Sequence, residues 1–420
     1  MGLLDHAGFQ AELSAALGTP QSPGAPFAVF TIRLRRVRRI RLALGDAVAD
    51  SLLLEAAFRL SALIAGTSMA HLEGELFCFY RTQSGEDDAR QFARELLAAF
   101  HTPLHTHGMD IVIGINVGVS IAQAGMNGAQ ALMRQSRCAL DRAAAGGEYS
   151  MEIYTPRLQA SAARRLTLEI ALRQAIESNI GLSVHYQPKV GLTSRKLYGV
   201  EALCRWNCPP LGAVPADEFI PVAEESDLIE MLGWRVLDHV CQQLLGWGAS
   251  GFVLPCVSIN LSARQLSDSD LPSKILQCTA RHGLVPSLFE FEVTESAIVE
   301  DINVAATTLA RFRSLGFRIA LDDFGAAHSN LHYLRKLPLD SLKIDKQFVD
   351  DLSAEGKGEA LCRAMFLMAD MLKLPVIVEG IETEAQCATL SRLGFEWGQG
   401  YYFSTPLPGE ALAQRWLTRR

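Results

Sequence analysis

From residue 184 onward the chain alternates short apolar strands with amphipathic helical stretches, and that rhythm limits the folds open to it. The strands read VHYQPKV (184–190), YGVEALCRW (198–206), PCVSINLS (255–262), LFEFEVTES (288–296), FRIALDDFG (317–325), SLKIDKQF (341–348), PVIVEGIE (375–382) and WGQGYYFS (397–404). Helical segments such as LIEMLGWRVLDHVCQQLLGW (228–247) and VAATTLARFRSLG (304–316) lie between them. Buried-type strands joined through helices predict a parallel sheet. About eight such units in roughly 260 residues predict a (β/α)8 barrel, with a doubly wound open sheet as the competing architecture.

The first part of the chain has a different rhythm. A weakly periodic helix (4–17) and the linker GTPQSPGAP precede a strand, FAVFTIRL, and the segments LFCFYRT and DIVIGINVGVSIA also read as strands. Helical stretches separate them, including DDARQFARELLAAF and GAQALMRQSRCALDRAAAGG. This pattern predicts an α+β unit with a mainly antiparallel sheet. The expected division is 1–26 for helix and linker, 27–158 for the α+β domain and 159–420 for the barrel.

Composition removes some alternatives. Hydrophobic residues make up 49% and charged residues 20%, a globular balance, and the formal net charge is -7. An acidic chain is a poor general coat for nucleic acid, since phosphates need a basic face. The arginine run Arg33, Arg35, Arg36, Arg38, Arg39 and Arg41 reads as a solvated face. The nine cysteines contain no CxxC pair, so they read as reduced thiols of a cytoplasmic protein. No uncharged apolar run is long enough for a membrane span, and no signal peptide is expected.

The chemistry lies in how the second set of strands ends: Glu201, Asn260, Glu292 with Glu295, Asp322 with Asp323, Lys343 with Asp345, Glu379 with Glu382, and Gln399. In a barrel the carboxyl ends of the strands open on one face, so these residues converge on one mouth. A lone acid after a strand is usually a solvated loop residue or a helix cap. The same behaviour at consecutive strand ends points to a site. Two carboxylates ~4 Å apart repel by about 4 kcal/mol at an effective dielectric of 20. Glu201, Glu292, Asp322, Asp323 and Glu379 facing the single Lys343 must therefore take up protons or hold hard cations. Oxygen donors with one amide suit Mg²⁺ or Mn²⁺. An adjacent pair such as Asp322–Asp323 can help bridge two ions, the arrangement that supports displacement at phosphorus. The residues alone thus predict a metal-assisted phosphoester hydrolase.

The motifs YQPKV, GVEALCRW, FIPVAEESDLI, SINLSARQ, FEVTES, ALDDFG, LKID, VEGIET and QGYYFSTPLP resemble the EAL family of cyclic di-GMP phosphodiesterases, in order, from about Leu166 to Pro408. The resemblance implies a modified (β/α)8 barrel with one antiparallel strand, and hydrolysis of cyclic di-GMP to linear pGpG by two-metal in-line attack of water. It implies that Glu201, Asn260, Glu292 and Asp322 hold one Mg²⁺ or Mn²⁺, and that Asp322, Asp323 and Glu379 hold a second. By the same resemblance Lys343 orients the attacking water, with Glu379 and Glu201 beside it, and Arg205 contacts phosphate. Gln187, Asp345, Glu382 and Gln399 match positions that contact the substrate or shape its pocket, and Glu295 matches the anchor of the loop after Asp323. A homodimer through the EAL domain and a regulatory protein partner are further implications. After DDFG the chain reads AAHSNLHYL, where Ala327 and His328 depart from the family's glycine and tyrosine. That departure keeps a second reading open: a silent cyclic di-GMP receptor that signals through a partner.

Residues 27–155 resemble a diguanylate cyclase (GGDEF) domain in outline. Its signature loop reads EGELF, and Arg33 stands where the family has a metal-binding aspartate. No RxxD inhibitory site is found at the expected offset. A cation cannot replace a ligating carboxylate, so the resemblance implies a degenerate domain with a regulatory or dimerising role.

Overall fold

The computed structural model describes residues 3–18, 27–64, 67–82, 84–122, 128–325, 336–350, 352 and 357–419. They form two compact units, Met1–Leu166 and Thr167–Arg420.

In the first unit, β1 (Phe27–Leu34), β2 (Met69–His71), β3 (Leu76–Thr82), β6 (Ile115–Ile121) and β7 (Ser150–Ile153) make a sheet in the order β2-β3-β1-β6-β7. The strands β4 (Leu104–Thr106) and β5 (Met109–Ile111) form a separate hairpin. The sheet pairs are antiparallel except β6 with β7, as the sequence leads one to expect. β1 is buried along nearly its whole length because it is central and covered on both faces. The N-terminal helix His6–Gly18 is part of this unit's core: Phe9 and Leu13 are fully buried beside Val29, Cys78 and Leu132.

The second unit contains β8 (Leu182–Gly191), β9 (Leu197–Cys208), β10 (Gly212–Val214), β11 (Val257–Leu261), β12 (Phe289–Thr294), β13 (Arg318–Phe324), β14 (Ser341–Ile344), β15 (Val376–Val378), β16 (Trp397–Gly398) and β17 (Leu407–Pro408). The ladder runs β9-β11-β12-β13-β14-β15-β16-β8, and β8 pairs back onto β9, which closes eight strands into a barrel. Closure rules out the doubly wound sheet. β8 is antiparallel to both neighbours, whereas β9 and β11 to β16 run parallel.

Strand alternation explains how the barrel is filled. On β12, FEFE sends Phe289 and Phe291 outward, where Phe291 packs on Phe312 of the helix Ile302–Ser314 at 4.8 Å between ring centroids. Glu290 and Glu292 then point inward. Barrel interiors are usually filled by branched apolar side chains, so two inward glutamates on one strand already mark this interior as unusual.

Candidate active site

Helix caps end the barrel strands sharply and set their polar residues at the mouth. Two residues beyond Asn260, Ser262 caps the helix Ala263–Leu266 in a capping box with Gln265. Thr294 caps Glu295–Glu300 two residues beyond Glu292, and Thr383 with Gln386 caps Glu384–Leu393 just after Glu379. On β13 the pairing with β14 jumps from Leu321↔Leu342 to Phe324↔Ile344, so Asp322 and Asp323 together face Lys343. Two residues against one is a β-bulge, a device that re-aims side chains. Asp323 takes φ 55° to complete it, a left-handed conformation that aspartate tolerates better than most residues.

These elements gather the acids predicted from the strand ends. The fully buried Lys343 Nζ lies 2.6 Å from Glu292 Oε2, 2.6 Å from Glu379 Oε1, 3.1 Å from Asp322 Oδ2 and 3.4 Å from Glu201 Oε2. One ammonium thus touches carboxylates from four places in the barrel wall. Asn260 Nδ2 donates to Glu201 Oε1 at 2.9 Å. Gln399 Nε2 donates both to Glu201 Oε2 (2.7 Å) and to Gln187 Oε1 (2.9 Å). Ligand oxygens of Asp322, Asp323 and Glu379 all lie within 4.8 Å of one another.

The remaining predicted residues fall around this centre. Arg205 follows Glu201 on β9 and lines a cavity of about 800 Å³ that also meets Asn260, Ser262 and Thr294. That volume suits a small organic ligand. Asp345 is half-buried beside Asp323. Glu382 does not join the cluster: it is exposed and ion-paired with Lys346 at 2.5 Å. Glu295 is buried at the start of its helix. The loop it was expected to anchor, with Ala327 and His328, lies outside the described residues.

Lys343 is not the single cation of the interior. Lys189, on the inverted strand β8, is fully buried with Nζ 2.5 Å from Glu292 Oε1 and 3.0 Å from Glu290 Oε1. Ser258 and Ser341 donate to the two oxygens of Glu290 at 2.6 and 3.2 Å. A second polar layer therefore lies beneath the mouth, two residues below it on four of the strands: Lys189 under Gln187, Ser258 under Asn260, Glu290 under Glu292, Ser341 under Lys343. The signal for it was the period of two in QPK, SIN, EFE and SLK, which carries polar residues down the same inner face.

The electrostatics follow from burial and these partners. Burial opposes the charge on Glu292, yet Lys189 and Lys343 override it and hold this carboxyl down at about 2. Burial pushes Glu379 up to about 8, with Asp322 and Glu201 adding to the rise. Burial and then Asp322 raise Asp323 to about 6, and burial with Glu292 raises Glu201. The carboxylates around Lys343 hold its ammonium well above the ordinary lysine range, overriding burial. Six carboxyls (Glu201, Glu290, Glu292, Asp322, Asp323, Glu379) meet two ammoniums, so the excess at the mouth takes up protons, as Glu379 does, or holds cations. The surplus consists of oxygen donors, the kind that hold Mg²⁺ or Mn²⁺.

Comparison with known proteins decides the family. The EAL domain model matches residues 169–406. The chain belongs to the EAL family. The model of the diguanylate cyclase, GGDEF domain, matches residues 2–149 of this EAL protein. Its sequence is 33% identical to the bifunctional diguanylate cyclase/cyclic di-GMP phosphodiesterase MucR of Pseudomonas aeruginosa, over 88% of this chain and 54% of that one. It is 31% identical to the cyclic di-GMP phosphodiesterase PdeR of Escherichia coli, over 90% of this chain and 57% of that one. Among solved structures, a MucR phosphodiesterase in complex with cyclic di-GMP is 38% identical, with a TM-score of 0.56. That match covers 59% of this chain and 99% of the other. The chain spans about half the length of the first curated relatives it matches. Among the described residues of this EAL protein, no helix is long and apolar enough to cross a membrane.

In the GGDEF-matching unit, EGELF occupies the turn of the β2–β3 hairpin and the start of β3. Arg33, at the end of β1, forms an ion pair with Asp141 at 2.9 Å.

Proposed function

We propose that this chain hydrolyses cyclic di-GMP to linear pGpG. The observation that carries the reading is Lys343 in contact with four carboxylates at the barrel mouth, beside the Asp322–Asp323–Glu379 oxygens; the cavity of about 800 Å³ meets this centre at Asn260, and the acids themselves do not line it. The EAL family membership and the named activity of MucR and PdeR support the substrate.

The donor set fits two hard divalent ions: Glu201, Asn260, Glu292 and Asp322 would hold one, and Asp322, Asp323 and Glu379 would hold the other. When bound, such ions supply Lewis acidity toward the phosphodiester and make water more acidic. The chain's own groups do the rest. Lys343 donates to the attacking water and keeps it in line with the scissile bond. Water adds at one phosphorus, the bond to the ribose 3′ oxygen breaks, and that oxygen leaves with a proton. Arg205 offers a guanidinium fork to a phosphate oxygen. Gln187 and Gln399 brace Glu201, and Gln399 Oε1, buried with no partner among the described residues, accepts from substrate or ordered water. Asp345 shapes the wall beside Asp323, and Glu382 reaches substrate only by leaving Lys346.

In this reading 159–420 forms the phosphodiesterase domain. Residues 27–158 form a regulatory or dimerising domain without cyclase activity, since Arg33 stands in place of a ligating aspartate and EGELF lacks the signature's adjacent acidic pair and first glycine. The homodimer, a regulatory partner and a cytoplasmic setting belong to the same proposal. The test is to incubate the purified chain with cyclic di-GMP and Mg²⁺ or Mn²⁺ and to separate the products. Formation of pGpG supports the proposal; binding without turnover favours a silent receptor.

A further inference from the structure

Away from the mouth, two barrel helices bring together a set of softer donors. Helix Ile229–Ala249 carries Asp238 and Cys241 three residues apart. Helix Leu271–Arg281, with its cap residue His282, carries Cys278 and His282 four apart. Both spacings put their residues on one helix face. The sulfurs of Cys241 and Cys278 and a ring nitrogen of His282 all lie within 4.8 Å of one another. His282 Nε2 is 3.6 Å from Asp238 Oδ1, while Gln242 Nε2 donates to Asp238 Oδ2 at 2.8 Å. Cys241 is buried, whereas Cys278 and His282 are partly exposed, so solvent reaches the group from one side. Among the described residues the other cluster of this kind is the all-oxygen trio of the mouth.

Each of these residues alone has an ordinary explanation, and a buried cysteine is mostly a small apolar side chain. Packing does not call for a second thiol, an imidazole and a carboxylate at the same spot. From the donor chemistry we propose that Cys241, Cys278 and His282 form a zinc site that pins these two helices together, with a fourth position beside Asp238. Two thiolates and an imidazole suit zinc and are a poor match for the hard ions proposed at the mouth. Burial pushes the Cys241 thiol up to about 12 and raises Cys278, so both are protonated in the cation-free chain. Thiolate-bound zinc must therefore displace two protons. This site stands independently of the phosphodiesterase reading.

The probe is Co²⁺, added to the metal-stripped full chain under a reducing agent that does not bind metals. The expected result is one equivalent of sulfur-to-cobalt charge-transfer absorption in the near ultraviolet, displaced by Zn²⁺. Asp323→Asn, which alters the mouth, leaves that band intact. Cys278→Ser leaves one sulfur donor and weakens the band, Cys241→Ser with Cys278→Ser loses it, and His282→Ala weakens Co²⁺ binding by about tenfold or more. Absence of the sulfur band in the wild-type chain at stoichiometric Co²⁺ overturns the proposal, whatever the variants do. Persistence of the band in a folded chain lacking both Cys241 and Cys278 overturns it too, because other cysteines would then be the ligands.

Discussion

Both units carry ion pairs at the surface, and they differ in their interiors. In the GGDEF-matching unit the ion pairs are at the surface: Arg33–Asp141, Arg36–Glu148 and Arg41 with Asp46 and Asp50 all involve substantially exposed side chains. In the EAL unit Lys189 and Lys343 are buried inside the barrel with Glu290, Glu292 and Glu201. Exposed pairs are screened and contribute about 0–1 kcal/mol each. Buried charges cost several kcal/mol to desolvate and persist only with full hydrogen bonding and close partners. The second unit thus carries a polar interior that stability alone does not favour. Such an expense belongs at a site. The first unit, with an arginine at the end of its central strand, has no comparable interior among the described residues.

The comparison can be broken in four places. The largest effect is expected at Glu201, which joins Asn260, Gln399 and Lys343 at the mouth. Glu201→Ala should reduce pGpG formation below detection while the circular dichroism spectrum stays native, and turnover in a folded variant would remove the mouth from the chemistry. Next is Lys189→Met, which leaves Glu290 and Glu292 buried without their shared cation. A loss of about 3–5 kcal/mol is expected in denaturant titrations, the cost of an unpaired buried charge. A loss under about 1 kcal/mol, the range of an exposed pair, would erase the contrast between the units.

A smaller effect concerns pH. In the cation-free chain Glu379 is raised from 4.5 to about 8, so between those values the folded state holds a proton that the unfolded chain has released. Stability from this group therefore falls as pH rises across that interval. Melting with a chelator present should give a lower Tm at pH 8 than at pH 6. Glu379→Gln should flatten that slope, and so should excess Mn²⁺, which takes the proton's place. Glu292, held at about 2, titrates well below this window. The smallest effect is expected for Arg33→Ala in the first unit, with a stability change of at most about 1 kcal/mol in denaturant titration and no change in turnover. A large loss of pGpG formation there would make the first unit part of the active machinery.

The strand–helix rhythm, the acids at successive strand ends and the antiparallel sheet of the first unit were all legible from residue types and spacing, because each is a local property with a short period. So was the convergence of Glu201, Glu292, Asp322 and Glu379, once a closed sheet was granted. Lys189 was missed because strand-end reasoning looks at the carboxyl end, and β8 runs the other way. On an inverted strand the mouth-side residue comes earlier in sequence, so Lys189 lies one layer beneath Gln187. Glu382 satisfied the same strand-end pattern yet points to Lys346, since a carboxylate in solvent pairs with whichever cation is adjacent.

By itself, then, the sequence determined which residues line the inner face of each strand and which carry charge. Only the tertiary structure decided that the sheet closes, that the bulge at Asp322–Asp323 sets two acids against one lysine, and that Lys189 and Lys343 share Glu292 and so link the two polar layers. The reason is physical. Periodicity is written within a strand, but distances between charges far apart in sequence depend on ring closure, strand direction and register.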